Sequence, residues 1–133
     1  MNMNPSKTLE LVIIGPSGGG KGTQAKRIAE KYNLSHISMG AAFRREISQE
    51  TKIGDKANEY VQSGEWVPTD LTIELLDQEL KNADFQNFIL DGFPRLPDQP
   101  KELNKLLDNH NQDIDLVIHL QVSDEEIMKR RKA

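Results

Sequence analysis

Gly15-Pro16-Ser17-Gly18-Gly19-Gly20-Lys21-Gly22-Thr23 comes directly after the nearly unbroken apolar run Leu9–Ile14 and leads into a helix-forming stretch. A strand, glycines, a lysine, a hydroxyl residue and then a helix is the layout of a phosphate-binding loop. Without a Cβ at positions 18, 19, 20 and 22, successive N–H groups can turn toward one anion. The helix from roughly Lys21 to Lys31 aims its positive dipole end at the same point. Lys21 supplies an ammonium for the β- and γ-phosphates, and Thr23 a hydroxyl for a magnesium ion. A strand–helix turn that is merely glycine-rich is the plainer alternative. The lysine and hydroxyl residue at this spacing argue against it, so the stretch is read as a nucleoside triphosphate site.

Phe88-Ile89-Leu90-Asp91-Gly92-Phe93-Pro94-Arg95 is the second stretch with chemistry in it. An apolar strand ends abruptly in a carboxylate and a glycine, the position at which open α/β sheets place ligands. An isolated Asp-Gly would more readily be a turn; with a phosphate loop upstream and Phe-Pro-Arg attached, a ligand role is the better reading. Ser38-Met39-Gly40-Ala41-Ala42-Phe43-Arg44 adds a guanidinium that can engage two phosphate oxygens at once and stays charged at neutral pH. Taken alone, Arg44-Arg45 reads as a solvated helix face.

Gly20-Lys21-Gly22-Thr23-Gln24 departs from the general loop by setting Gly22 between the lysine and Thr23, and it resembles the variant in nucleoside monophosphate kinases of the adenylate kinase family. The later motifs extend that resemblance from about Leu9 to Arg130. It implies that Gly18, Gly19, Gly20, Lys21, Gly22 and Thr23 bind ATP, with Arg130 against its base. Arg44 would grip the acceptor phosphate, and Asp91 would hold magnesium-bound water, with Thr23 a second metal contact. Arg95 would contact the acceptor phosphate and the developing charge, while Met39, Trp66, Val67, Gly92, Phe93 and Pro94 complete the AMP site. Lys21, Arg44 and Arg95 would be the catalytic cations. Gln99 falls on the glutamine that reads adenine in adenylate kinases; a bidentate amide matches the donor and acceptor on one adenine edge. Trp66 is equally readable as a core aromatic.

The chain departs from the family pattern at Met39, where threonine or alanine is usual, and at Ala41, where aspartate is usual. Methionine offers a base no strong hydrogen bond but packs well against a flat ring. Two alternatives to an AMP kinase stay open: a kinase for another monophosphate such as UMP or CMP, and a nucleotide-binding fragment with little activity.

Composition is permissive and excludes little else. With 133 residues the chain suits one compact domain with a small insertion. A formal net charge of −4 gives no global positive field for nucleic acid or an anionic membrane. No cysteine is present, no stretch approaches membrane-spanning length, and Met1–Lys7 lacks the apolar core of a signal peptide. A cytoplasmic protein is the expectation. His36, His110 and His119 have no metal-ligand spacing and receive no role.

The elements that must position these residues are parallel strands near 9–14, 34–38, 88–91 and 116–122. Ala25, Ile28, Ala29 and Tyr32 form the sheet-facing stripe of the first helix. Thr69 or Asp70 caps a helix whose Leu71, Leu75, Leu76 and Leu80 face the core, and Pro100–Asn109 forms another with Leu103, Leu106 and Leu107 inward. The expected fold is α/β, a P-loop NTPase three-layer sandwich with a parallel sheet whose order, by resemblance, is 2-3-1-4. Residues 1–37 and 68–133 would form the core, and residues 38–67, with helix-like Thr51–Ser63, a small monophosphate-binding insertion. Relatives continue for longer, so the lid, a fifth strand and the closing helix are expected to be absent. If the chain ends at Ala133, poor turnover and self-association through an uncovered sheet edge are expected, whereas an intact relative would be a monomer.

Overall fold

A computed structural model describes residues 7–16 and 20–121. Four strands, β1 (Glu10–Ile14), β2 (Ser35–Ser38), β3 (Phe88–Asp91) and β4 (Leu116–His119), form one sheet in the order β2-β3-β1-β4, with every pairing parallel. This is the expected order. Five helices connect them: α1 (Lys21–Tyr32), α2 (Met39–Ser48), α3 (Lys52–Ser63), α4 (Thr69–Asn82) and α5 (Gln99–Asp108).

Alternation along the strands sorts side chains to two faces. Leu11, Ile13 and Ile89 pack with Ala25 and Ala29 of α1 on one face. Val12, Phe88 and Leu90 face the other way, into a larger cluster with Leu75, Leu76 and Leu80 of α4 and Leu103 and Leu107 of α5. Helices on both faces of a parallel sheet give the expected three-layer α/β sandwich. At the lower end Glu10 fixes the register: its carboxylate accepts from the Asn87 N–H at 3.0 Å, and its own N–H donates to Asp115 at 2.8 Å.

Registry carries the functional consequence. Ile13, Asp91 and Ser38 lie side by side across β1, β3 and β2, so the segments leaving all three strands emerge at one edge. Gly20 stands there with φ 83°, immediately before Lys21, and Gly92 with φ 89°, immediately after Asp91. Both turns need a residue that tolerates the left-handed region, which glycine does without a Cβ penalty. Ser38 caps α2, accepting from the Ala41 N–H at 3.3 Å, and Thr51 caps α3, accepting from the Gly54 N–H at 3.0 Å.

Several local expectations are corrected. Tyr32 is 37% exposed rather than turned to the sheet, with the Lys31 ammonium over its ring. It closes α1 one turn beyond Ile28, where the sheet no longer covers the stripe. Neither Thr69 nor Asp70 is the N-cap of α4; Pro68 is, and Thr69 and Asp70 lie in the first turn, where proline's fixed φ sets the entry. The strand expected over 116–122 closes at His119, and Val122 lies outside the described residues. The fifth helix begins at Gln99, one residue before the expected Pro100.

The α2–α3 joint is packed backbone to backbone at Gly54, where an added Cβ would stand 2.7 Å from the Ile47 nitrogen. In an open helix interior alanine is favoured over glycine by about 1 kcal/mol. Here the clash reverses the sign: Gly54→Ala is expected to destabilise by about 1–3 kcal/mol. An equal or higher denaturation midpoint would contradict this packing.

Candidate functional site

Asp91 ends β3 at the meeting of three elements. It is 5% exposed, and alternation turns it with Ile89 toward the α1 face. Its Oδ1 accepts from the Lys21 ammonium, and its Oδ2 lies 3.1 Å from Nε2 of His36 on β2. Lys21 is the first residue of α1, so the helix's positive end and the lysine converge on one carboxylate. Gly22 is close enough that a Cβ there would come within 3.9 Å of Asp91 Oδ2. Thr23 lies in the same helical turn, with its side chain exposed.

Two open spaces flank Arg95. The smaller, about 40 Å³, lies between Ile13, Ile14, Gly15 and Lys21 on one side and Gly92, Phe93, Pro94 and Arg95 on the other. The larger, about 220 Å³, has one wall from Met39, Gly40, Phe43, Val61, Glu65, Trp66 and Val67. Thr72, Gly92, Phe93, Arg95, Leu96 and Gln99 form its opposite wall. Gly92, Phe93 and Arg95 belong to both spaces. Its lining, mostly apolar with a few placed polar groups, suits a flat organic ring.

Of the expected site residues, Lys21, Gly92, Phe93, Pro94 and Arg95 line the small space, and Met39, Trp66, Val67 and Gln99 line the large one. Gly20, Gly22, Thr23 and Asp91 line neither, and Asp91 meets the small space through its contact with Lys21. Trp66, at 65% exposure, is not a core aromatic but stands at the cleft mouth. Arg44 does not line the cleft either but folds over Gly40, its guanidinium 3.2 Å from where a Gly40 Cβ would lie. Gly18, Gly19 and Arg130 lie outside the described residues. Arg45 is more than a solvated face. It reaches Glu79 of α4 at 2.8 Å and Glu46 at 3.1 Å, and the Glu79 carboxylate raises its pKa further despite partial burial.

His36 is the residue that sequence reasoning missed. A signal existed: it lies two positions before Ser38, hence on the same face of β2, and Ser38 is in register with Asp91. Gln99 is placed differently from expectation. It is 4% exposed, and its Oε1 accepts from the backbone N–H groups of Arg95 at 2.6 Å and Leu96 at 3.0 Å.

The donors near the phosphate loop are a hydroxyl and a carboxylate, the hard oxygen ligands that magnesium takes. Among the described residues no group of three or more His, Asp or Glu could cage a metal alone. An ion here would depend on ligand phosphates and water, the usual arrangement for magnesium at nucleotide sites.

A family model described as adenylate kinase matches residues 13–133. The chain is 46% identical over 125 residues to the adenylate kinase of Mycobacterium tuberculosis (strain ATCC 25618 / H37Rv), covering 93% of this chain and 69% of that protein. To the adenylate kinase of Mycobacterium leprae (strain TN) it is 44% identical over the same length and coverage. To that of Clostridium novyi (strain NT) it is 44% identical over 123 residues, 92% of this chain and 57% of the relative.

The Lys21 ammonium is the loop's one described cation and already sits against a carboxylate that a ligand's phosphates would replace. Lys21→Met keeps the aliphatic stem and removes the charge. It is expected to weaken ATP binding roughly ten- to a hundredfold by calorimetry. Unchanged affinity in a folded variant would contradict the assignment of this loop.

Proposed function

The chain belongs to the adenylate kinase family of nucleoside monophosphate kinases, and on that footing we propose that it moves the γ-phosphoryl group of ATP reversibly onto AMP, with magnesium, to give two ADP. The observation that carries this reading is the shared wall of Gly92, Phe93 and Arg95 between the loop space and the cleft. A triphosphate on the loop and a monophosphate in the cleft would present their phosphates to the same guanidinium. Residues 38–67 are proposed as the acceptor-binding unit, since one whole wall of the cleft comes from them.

In the proposed reaction an acceptor phosphate oxygen bonds to the γ-phosphorus as the bridging bond to the β-phosphate breaks. The electron pair leaves on the β-phosphate oxygen. No general base is needed, because the acceptor oxygen is anionic at neutral pH. Alignment and charge neutralisation therefore carry the catalysis. Lys21 exchanges Asp91 for β- and γ-phosphate oxygens, and the loop N–H groups hold the β-phosphate. Arg95 spans both phosphates, with Arg44 reaching the acceptor from α2 once the cleft is filled. Thr23, and Asp91 through water, would hold magnesium, which when bound neutralises charge on the β- and γ-phosphates. His36 keeps the Asp91 carboxylate in place while Lys21 moves away.

Met39 and Trp66 favour a flat base by packing. Small nucleotides, rather than nucleic acid or a membrane, are the proposed partners of a monomeric cytoplasmic enzyme. Among the described residues no helix is long and apolar enough to cross a membrane.

AMP is expected to bind at least about tenfold more tightly than UMP or CMP, as a lost hydrogen-bonding partner in a closed site typically requires. Titration followed by the fluorescence of Trp66, the chain's one tryptophan, measures this. Equal affinity for the three would overturn adenine selection and favour the reading, prompted by Met39, of a kinase for another monophosphate.

A further inference from the structure

Helix α2 stands between two open spaces. Met39, Gly40 and Phe43 line the acceptor cleft, while Ala41, Ala42 and Arg45 line a second space against β2 and α4. At about 3.6 residues per turn the two sets fall on opposite sides of the helix. α4 passes both spaces: Thr72 belongs to the cleft, and Glu79, about 10 Å further along the helix, to the space behind. Across that rear space Arg45 reaches Glu79 at 2.8 Å. Among the described residues this is the one ion pair that joins residues 38–67 to the rest of the chain. Its Arg45 end is anchored. The Nε donates to Glu46 at 3.1 Å, and Glu46, itself buried, accepts the Thr51 hydroxyl at 3.0 Å where α3 begins. A pull on the guanidinium is therefore felt by the whole α2–α3 joint.

The cleft is open on the side of residues 38–67. Val61 and Trp66 line it yet remain 53% and 65% exposed, and Arg44 stays over Gly40 outside it. A ligand held by both walls buries those apolar side chains only if α2 and α3 come forward, and that movement draws Arg45 away from Glu79. On the reading of this cleft as the acceptor site, we infer that the Arg45–Glu79 pair is a strap that holds α2 back and so weakens acceptor binding. Both are positioning residues, since neither lines the cleft. The apolar contacts between the two parts do not restrain α2 in this way. Ala42, Ile53 and Ala57 share one buried cluster with Leu71, Leu75 and Leu76, and apolar contact, being non-directional, tolerates small shifts. A charged hydrogen bond at 2.8 Å does not, because guanidinium and carboxylate must keep both distance and alignment. Acceptor binding must offset the loss of this pair, and the released guanidinium keeps Glu46 as its partner.

The test reads the sign of a change in affinity. AMP and ATP are titrated by calorimetry against the wild-type chain, Glu79→Gln, Arg45→Met and the double variant, and each denaturation midpoint is recorded. Arg45 is half-exposed, so the strap is a modest one, and cutting it is expected to tighten AMP binding about two- to fivefold. ATP affinity should be unchanged, and the midpoint equal or lower. The double variant should bind AMP no more tightly than the tighter single one, since either change already cuts the strap. A contact that merely stabilised the fold would loosen AMP binding when lost, not tighten it. Glu79→Gln leaves Glu46 its guanidinium and serves where Arg45→Met does not fold. AMP affinity unchanged or weakened in folded Glu79→Gln would overturn the strap and leave the acceptor site standing. Wild-type protein that binds no AMP would overturn both.

Discussion

The Asp91 carboxylate, held between Lys21 and His36, is the contact on which the site depends. It ties the first turn of α1 to the end of β3 and the middle of β2. At the mouth of a sheet an ion pair of this kind is worth more than a surface pair, since two unit charges about 4 Å apart interact by about 4 kcal/mol at an effective dielectric near 20. Much of that gain is offset by desolvation of the two charges. The more useful consequence is that the lysine has a nearby, exchangeable partner. Phosphate oxygens can replace the carboxylate without leaving an ammonium unpaired, and the carboxylate keeps its histidine when the lysine departs.

That contact is possible only because the sheet is parallel and in this order. Parallel strands bring every strand's C-terminal end to one edge, and the order β2-β3-β1 sets the phosphate loop, the Asp-Gly turn and the start of α2 beside one another. The apolar alternation that builds two cores also decides which face receives chemistry. Ile89 and Asp91 point to the α1 side, whereas Phe88 and Leu90 anchor the strand against α4 and α5. A single-residue slip of β3 would exchange these faces, burying the carboxylate among the leucines.

Much of this was legible in the sequence, for identifiable reasons. Three of the four strands are short apolar runs, whereas β2 has one apolar residue, Ile37, and the loop motif marks where β1 gives way to α1. The features that remained hidden depended on tertiary geometry. Whether Trp66 packs in the core or faces a cleft is decided by α3 and the segment after it, not by local pattern. Tyr32 satisfies the helical spacing but lies past the edge of the sheet. Arg45 has the composition of a solvated face, yet Glu79 lies opposite it on α4, more than thirty positions away. His36 and Gln99 show the same limit most clearly, since each is defined by a partner: a carboxylate across two strands in one case, and backbone N–H groups of a tight turn in the other.

The central claim is that the loop space and the cleft hold two nucleotides whose phosphates meet at Lys21 and Arg95. A single molecule bearing two adenosines joined 5′ to 5′ by five phosphates spans both places at once, so its binding measures that claim directly. Calorimetry should give one molecule per chain, with an affinity exceeding that of ATP or AMP alone by about a hundredfold or more, as linked occupancy of two adjacent sites requires. An affinity no better than that of ATP, or two molecules per chain, would contradict the account.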